Sequence, residues 1–273
     1  MFVSFLKVTR WLIYALSTRC SLAFSFIIVL LLRKVLLRKL YGHFKYSSVI
    51  LVGGAPSAAI PSNHYFDKHI GISSGSKTLV GRFNKYCDLS IMDASFFNLE
   101  FSNSCSSKNA MHEKKAYADS VNNLVVVSSN AIKPNVTLES LIKAKSNYRI
   151  PRWLRGFIVN YVCGTNYLDN FSGYRYSQVG TGAWTLAFLV FLKVRAVHIT
   201  GINLRTGTDS EFTRYQHGGV VGVNDIEYLK SRCRNHCSPD INVFSAIALR
   251  YRSRVTLTTN ETDIDCAISP NLS

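Results

Sequence analysis

Acidic residues are scarce in this 273-residue chain: sixteen Asp and Glu stand against thirty-two Lys and Arg, a formal charge of +16. The shortage is sharpest at the start. Residues 1–46 carry Lys7, Arg10, Arg19, Arg33, Lys34, Arg38, Lys39 and Lys45, with no Asp or Glu at all. Other absences each close off a class. No Gly-Lys-Ser/Thr follows a glycine loop and no third glycine completes a dinucleotide fingerprint, so neither P-loop chemistry nor NAD binding is indicated. The cysteines at 20, 87, 105, 163, 233, 237 and 266 are odd in number and in no framework spacing, which suits a reducing compartment. No internal repeat is present. The length accommodates one α/β domain plus an appendage.

What lies between the N-terminal cations is hydrocarbon. Trp11–Leu32 holds a single charge, Arg19, and Cys20–Leu32 holds none. A basic arm interleaved with apolar residues fits an anionic membrane surface, and the nucleic-acid reading falls away. A bilayer span takes about 20 apolar residues, so the run crosses only if Arg19 is tolerated or snorkels. Leu31–Leu40 alternates apolar and basic residues and reads as a helix lying in the headgroup layer. No small-x-small cleavage site follows, and Arg33–Lys45 supplies a positive-inside flank. A retained N-terminal membrane-associated helix with a cytoplasmic C-terminal domain is therefore expected. The chain divides into a basic apolar anchor, 1–46, and a nucleotide-site domain, 47–273.

Past the anchor, strand-like and helical runs alternate. Strands are expected at Ser48–Val52, Lys68–Ser73, Asp88–Met92, Asn123–Ser128, Ala196–Thr200 and Val255–Thr259. Helices are expected at Thr78–Tyr86, Thr137–Asn147, Pro151–Val162, Ala183–Val194, Val223–Asn235 and Asp240–Tyr251, and a surface insertion at 102–120. This alternation implies an α/β fold with a mainly parallel sheet and a ligand at the carboxyl ends of its strands.

Two glycine-containing bends stand out. The run Val49-Ile50-Leu51-Val52 passes into Gly53-Gly54-Ala55-Pro56-Ser57, a turn small enough to bring backbone amides against a phosphate or ribose. A tight strand-to-helix turn with no ligand would use the same residues. Gly180-Thr181-Gly182 opens an apolar helix, where unpaired amides and a hydroxyl face outward; an ordinary helix cap is the plainer reading. His217, in the loop Tyr215-Gln216-His217-Gly218-Gly219, has a pKa suited to a general base. His198 lies within an apolar strand and reads as core. Cys233, His236 and Cys237 form a lone cluster without a second ligand pair, and Asp263-Ile264-Asp265 is a three-residue match, so no metal site is assigned.

Four stretches together resemble one family, the bacterial sialyltransferases that cap lipooligosaccharide, with the related sialyltransferase-like domains of motility accessory factor proteins. They are VILVGGAPS (49–57), YCDLSIMDASFF (86–97), GTGAWTLAFLVFLKVRAVHITGIN (180–203), and His217 with the helix Asn224–Leu229. The resemblance implies a GT-A-like, Rossmann-like glycosyltransferase domain that needs neither metal nor cofactor and takes a CMP-activated sugar as donor. By position it implies that Gly53, Gly54, Pro56 and Ser57 line the nucleotide and that Ser74 and Asp93 approach the donor. Thr181, Gly182 and Asn203 would sit at ribose or sugar, and His217 would be the base. Arg205 stands where the family has a tyrosine that holds the leaving phosphate, Tyr215 takes the second such place, and Gln178 replaces an arginine. The implied partners are a nucleotide sugar and a glycan or glycolipid acceptor, in surface polysaccharide or lipopolysaccharide assembly. Two other classes stay open: a non-catalytic membrane-bound assembly factor with a degenerate fold, and an S-adenosylmethionine-dependent methyltransferase. The latter would want an acidic residue closing the second strand, where Ile72-Ser73-Ser74 offers none.

Overall fold

The computed structural model describes residues 29–55, 57–72, 75–93, 124–128, 147–150, 152–164, 179–202 and 240–269. Within them lie seven strands: β1 (Ser48–Val52), β2 (Lys68–Ile72), β3 (Leu89–Asp93), β4 (Leu124–Ser128), β5 (Asn147–Ile150), β6 (Ala196–Thr200) and β7 (Thr256–Thr259). They form one sheet in the order β5-β4-β3-β2-β1-β6-β7, with every neighbouring pair parallel. Continuous apolar runs make the central strands because both faces are covered. Val49 and Leu51 enter the larger core with Ile70, Leu89, Val197 and Ile199. Ile50 and Val52 enter a smaller one with Ala58, Phe66, Leu79 and Cys87.

The helices are α1 (Arg38–Phe44), α2 (Arg152–Cys163), α3 (Thr181–Phe191), α4 (240–251) and α5 (Thr262–Ile268). One π-helical turn, Leu32–Leu36, precedes α1. Three expectations change. Asn147 opens strand β5 and is not a helix end. The helix expected to reach Tyr86 stops at Arg82, in two short pieces, Gly75–Lys77 and Thr78–Arg82. Helix α5 was not expected at all. The apolar helix is present as α3; it is buried from Ala183 through Phe191, as suits a helix apolar on all sides.

The chain steps outward from β1 to β5, and α3 then returns it to the other side of β1, where β6 and β7 are laid down. The winding reverses between β1 and β6. In open parallel sheets such a switch point leaves a crevice at the carboxyl ends of the strands.

The N-terminal segment departs from expectation. Val29, Leu32, Leu37, Leu40 and Phe44 are buried in the larger core, so the described part of residues 1–46 packs as domain and not as a separate appendage. Nor does Arg33 sit among headgroups. It is 8% exposed, its Nε donates to Phe191 O at 2.6 Å, and its guanidinium lies 4.6 Å from the Phe191 ring centroid. The rings of Tyr41 and Tyr161 are each 6.0 Å away. Burial draws the Arg33 pKa down from its usual value, while Tyr161, Tyr41 and Tyr251 act against that. Phe191 is the last residue of α3, whose negative dipole end therefore meets the cation. No helix among the described residues is long and apolar enough to cross a membrane; Trp11–Ile28 falls outside them.

Candidate active site

At the carboxyl edge of the sheet, β1 and β6 are laced together backbone to backbone. Gly53 N donates to Thr200 O at 2.8 Å and Ala55 N to Gly201 O at 2.9 Å. A Cβ on Gly53 would stand 2.1 Å from Gly201 O, so the neighbouring strand requires glycine there before any ligand is considered. Gly201 itself has φ 64°, a left-handed conformation that favours glycine. Gly75 closes from the β2 side, where a Cβ would lie 1.9 Å from Val52 O.

The second bend opens α3, and Ile202 sits between the two. A Cβ on Gly53 would be 2.8 Å from Ile202 Cγ1, and one on Gly182 would be 2.9 Å from Ile202 Cγ2. Both glycine bends therefore pack against Ile202 at the switch point. Gly180 N donates to Asp240 Oδ1 at 2.7 Å, and bonding within α3 begins with Trp184 N to Gly180 O. The amides of Thr181, Gly182 and Ala183 have no partner inside the helix. The Asp240 carboxylate already answers the positive end of the α3 dipole, so these amides favour a neutral hydroxyl over a second anion.

Sequence reasoning missed the residue that ties the site together. Glu261, just after β7 and 9% exposed, accepts a hydrogen bond from Gly201 N at 2.6 Å through Oε1. Ser57 Oγ donates to both carboxylate oxygens at 3.0 Å. Asn260 Nδ2 donates to Ser57 O, and Thr200 Oγ1 accepts from Ala59 N, so the turn after β1 is held from two further points. The available signal was an acidic residue directly after the last strand of an acid-poor chain. Asp263 and Asp265, to which no metal site is assigned, fall on α5, where Ile264 is buried.

Of the residues singled out in the sequence, Gly53, Gly54, Ser57, Thr181 and Gly182 are brought to this edge. Asp93 ends β3, two strands from β1 on the same edge and opposite Ser128 of β4. Pro56, Ser74, Gln178, Asn203, Arg205, Tyr215 and His217 lie outside the described residues, as do Cys233, His236 and Cys237. His198 is buried in β6 with Nδ1 2.9 Å from Thr258 Oγ1. Burial and the nearby His64 lower its pKa, which keeps the ring neutral, as befits a core histidine.

No family model matches the chain, and no curated protein matches it. Among solved structures it is similar to the monofunctional α-2,3-sialyltransferase Cst-I of Campylobacter jejuni. The identity is 11% and the TM-score 0.48, over 84% of this chain and 83% of that one. It is also similar to the sialyltransferase CstII of Campylobacter jejuni, solved with the substrate analogue CMP-3FNeuAc. There the identity is 11% and the TM-score 0.43, over 78% of this chain and 79% of that one.

Proposed function

We propose that this chain is a sialyltransferase-like glycosyltransferase, inverting and metal-independent, that moves a sugar from a CMP-activated donor to a glycan or glycolipid hydroxyl. The observation that carries the reading is the convergence of the Gly53 and Gly182 bends on Ile202 at the β1/β6 switch point. Such a switch point, at the carboxyl ends of the strands, is where open parallel sheets take their ligands. The sequence resemblance supplies the chemistry. In this scheme His217 takes the proton from the acceptor hydroxyl as that oxygen attacks the anomeric carbon, and the bond to the CMP phosphate breaks. Arg205 and Tyr215 answer the charge on the departing phosphate, and an arginine suits that task by charge and by paired donors. The amides of Thr181 and Gly182 take ribose or sugar hydroxyls, in keeping with the Asp240 carboxylate beside them.

Thermal unfolding in the presence of CMP, CMP-sialic acid, UDP and S-adenosylmethionine tests the donor. A ligand at 100 times its Kd stabilises by about 2.7 kcal/mol. Stabilisation by the cytidine compounds alone is expected. A response only to S-adenosylmethionine selects the methyltransferase, and no response at all selects the degenerate assembly factor. His217→Ala should keep the cytidine-induced shift and lower turnover by about 100-fold or more; unchanged turnover removes the base assignment.

A further inference from the structure

The segment 29–44 has two faces of different character. Its inner face, Val29, Leu32, Leu37, Leu40 and Phe44, is buried against the domain, and Arg33 is buried with it. Its outer face is also apolar: Leu30, Leu31, Val35 and Leu36 are 37%, 56%, 71% and 54% exposed. Lys34, Arg38 and Lys39 are exposed among them. A helix that only covers a domain keeps aliphatic side chains inward and charges outward. Here the outward side carries both.

We propose that this outer face is seated on an anionic lipid bilayer, with Leu31, Val35 and Leu36 entering the acyl boundary and Lys34, Arg38 and Lys39 meeting headgroup phosphates. Three observations favour lipid over a protein partner. The exposed surface combines aliphatic side chains with cations, the two contributions that hold a segment on anionic lipid. No carboxylate occurs within residues 1–46 to repel phosphate. The face is also continuous in sequence with the apolar run from Trp11. Arg33 bonds to the C-terminal end of α3, whereas the candidate site borders its N-terminal end. The docked face therefore lies at the opposite end of that helix from the crevice, which stays clear of the surface. This inference does not depend on the reaction assigned above.

The test is co-sedimentation of the full chain with vesicles of phosphatidylcholine alone and of phosphatidylcholine with one-third phosphatidylglycerol, with no donor or acceptor added. Binding to the anionic vesicles and little to the neutral ones is expected. The triple change Lys34→Glu, Arg38→Glu, Lys39→Glu should weaken binding by about 100-fold, the size expected for losing three cations near an anionic surface. Val35→Asp with Leu36→Asp should also release the protein. Lys85→Glu, an exposed lysine elsewhere, should not, and the circular dichroism and Tm of each variant establish that it is folded. Vesicle binding unaltered by either set of changes would assign it to residues before Val29 and overturn the proposal. So would a wild-type dimer, indifferent to vesicles, that the Val35/Leu36 variant converts to monomer, since the face would then belong to a second copy.

Discussion

The two ends of helix α3 are finished in opposite ways. At its N-terminal end, on the carboxyl edge of the sheet, an acid meets the helix: Asp240 takes the Gly180 amide, and Glu261 holds the neighbouring Gly201. At its C-terminal end a cation does so, Arg33 on Phe191 O. Each charge has the sign that the helix dipole favours. The material differs too. The first end is built from backbone against backbone, with glycines 53, 75 and 201 where no side chain fits. The second is built from large side chains, Arg33 among Tyr41, Tyr161 and Phe191. A region made of backbone contacts can bring donors close to a ligand but admits no substitution. A region made of side chains can be repacked.

Gly53→Ala should show the largest effect. The Cβ drives into Gly201 O and parts the two strand ends, costing about 4 kcal/mol, the upper range for a single change, and abolishing the nucleotide-induced Tm shift. Denaturant unfolding measures the first and ligand-shift assays the second. A Gly53→Ala protein of wild-type stability would show that the ends are not locked together. Arg33→Ala should cost about 3 kcal/mol through lost packing and an unmet Phe191 carbonyl, whereas Arg33→Met should recover at least half of that, because a buried charge is removed while volume is kept. If Met is as damaging as Ala, the charge itself holds the helix end.

The smallest effect concerns Asp88, directly before β3 at the amino ends of the strands. Its carboxylate faces Lys68 at 3.5 Å, His43 at 3.7 Å and His69 Nδ1 at 3.8 Å, and it accepts the His69 amide at 2.8 Å. Burial alone would raise its pKa, but the His69 side chain and amide, with Lys68 and His43, hold it below the ordinary 3.8. The folded state thus binds fewer protons than the unfolded one near that pH. The stabilisation is present above pH 3.8 and is lost as pH falls through the lower folded value. Asp88→Asn should cost about 1 kcal/mol at pH 7 and progressively less as pH falls below 3.8, read from urea midpoints across that range.

Much of the sheet was legible in the sequence because β1, β4 and β6 are short, largely apolar runs, the pattern that a strand covered on both faces demands. β5 was not, since Asn147-Tyr148-Arg149-Ile150 is a four-residue edge strand with one apolar partner and little pattern to read. The bends at Gly53 and Gly182 were visible as composition, and their meeting at Ile202 was not, because strand order is not written in any local window. Arg33 misled for a related reason. The two Leu-Leu-Arg-Lys runs at 31–34 and 36–39 look alike, and only the Phe191 carbonyl and the rings around Arg33 separate it from its neighbours. Glu261 was invisible as a site residue because its partners, Gly201 and Ser57, stand 60 and 204 positions earlier.

That last separation bears on how the molecule is made. Ser57 leaves the ribosome long before Glu261 does, so the first turn of the sheet waits for nearly the entire polypeptide before its hydroxyl meets the carboxylate. A chain released before β7 and Glu261 would carry both bends yet lack their common fastening. The carboxyl edge at β1 and β6 is thus fastened last, and an incomplete product is left with that edge untied.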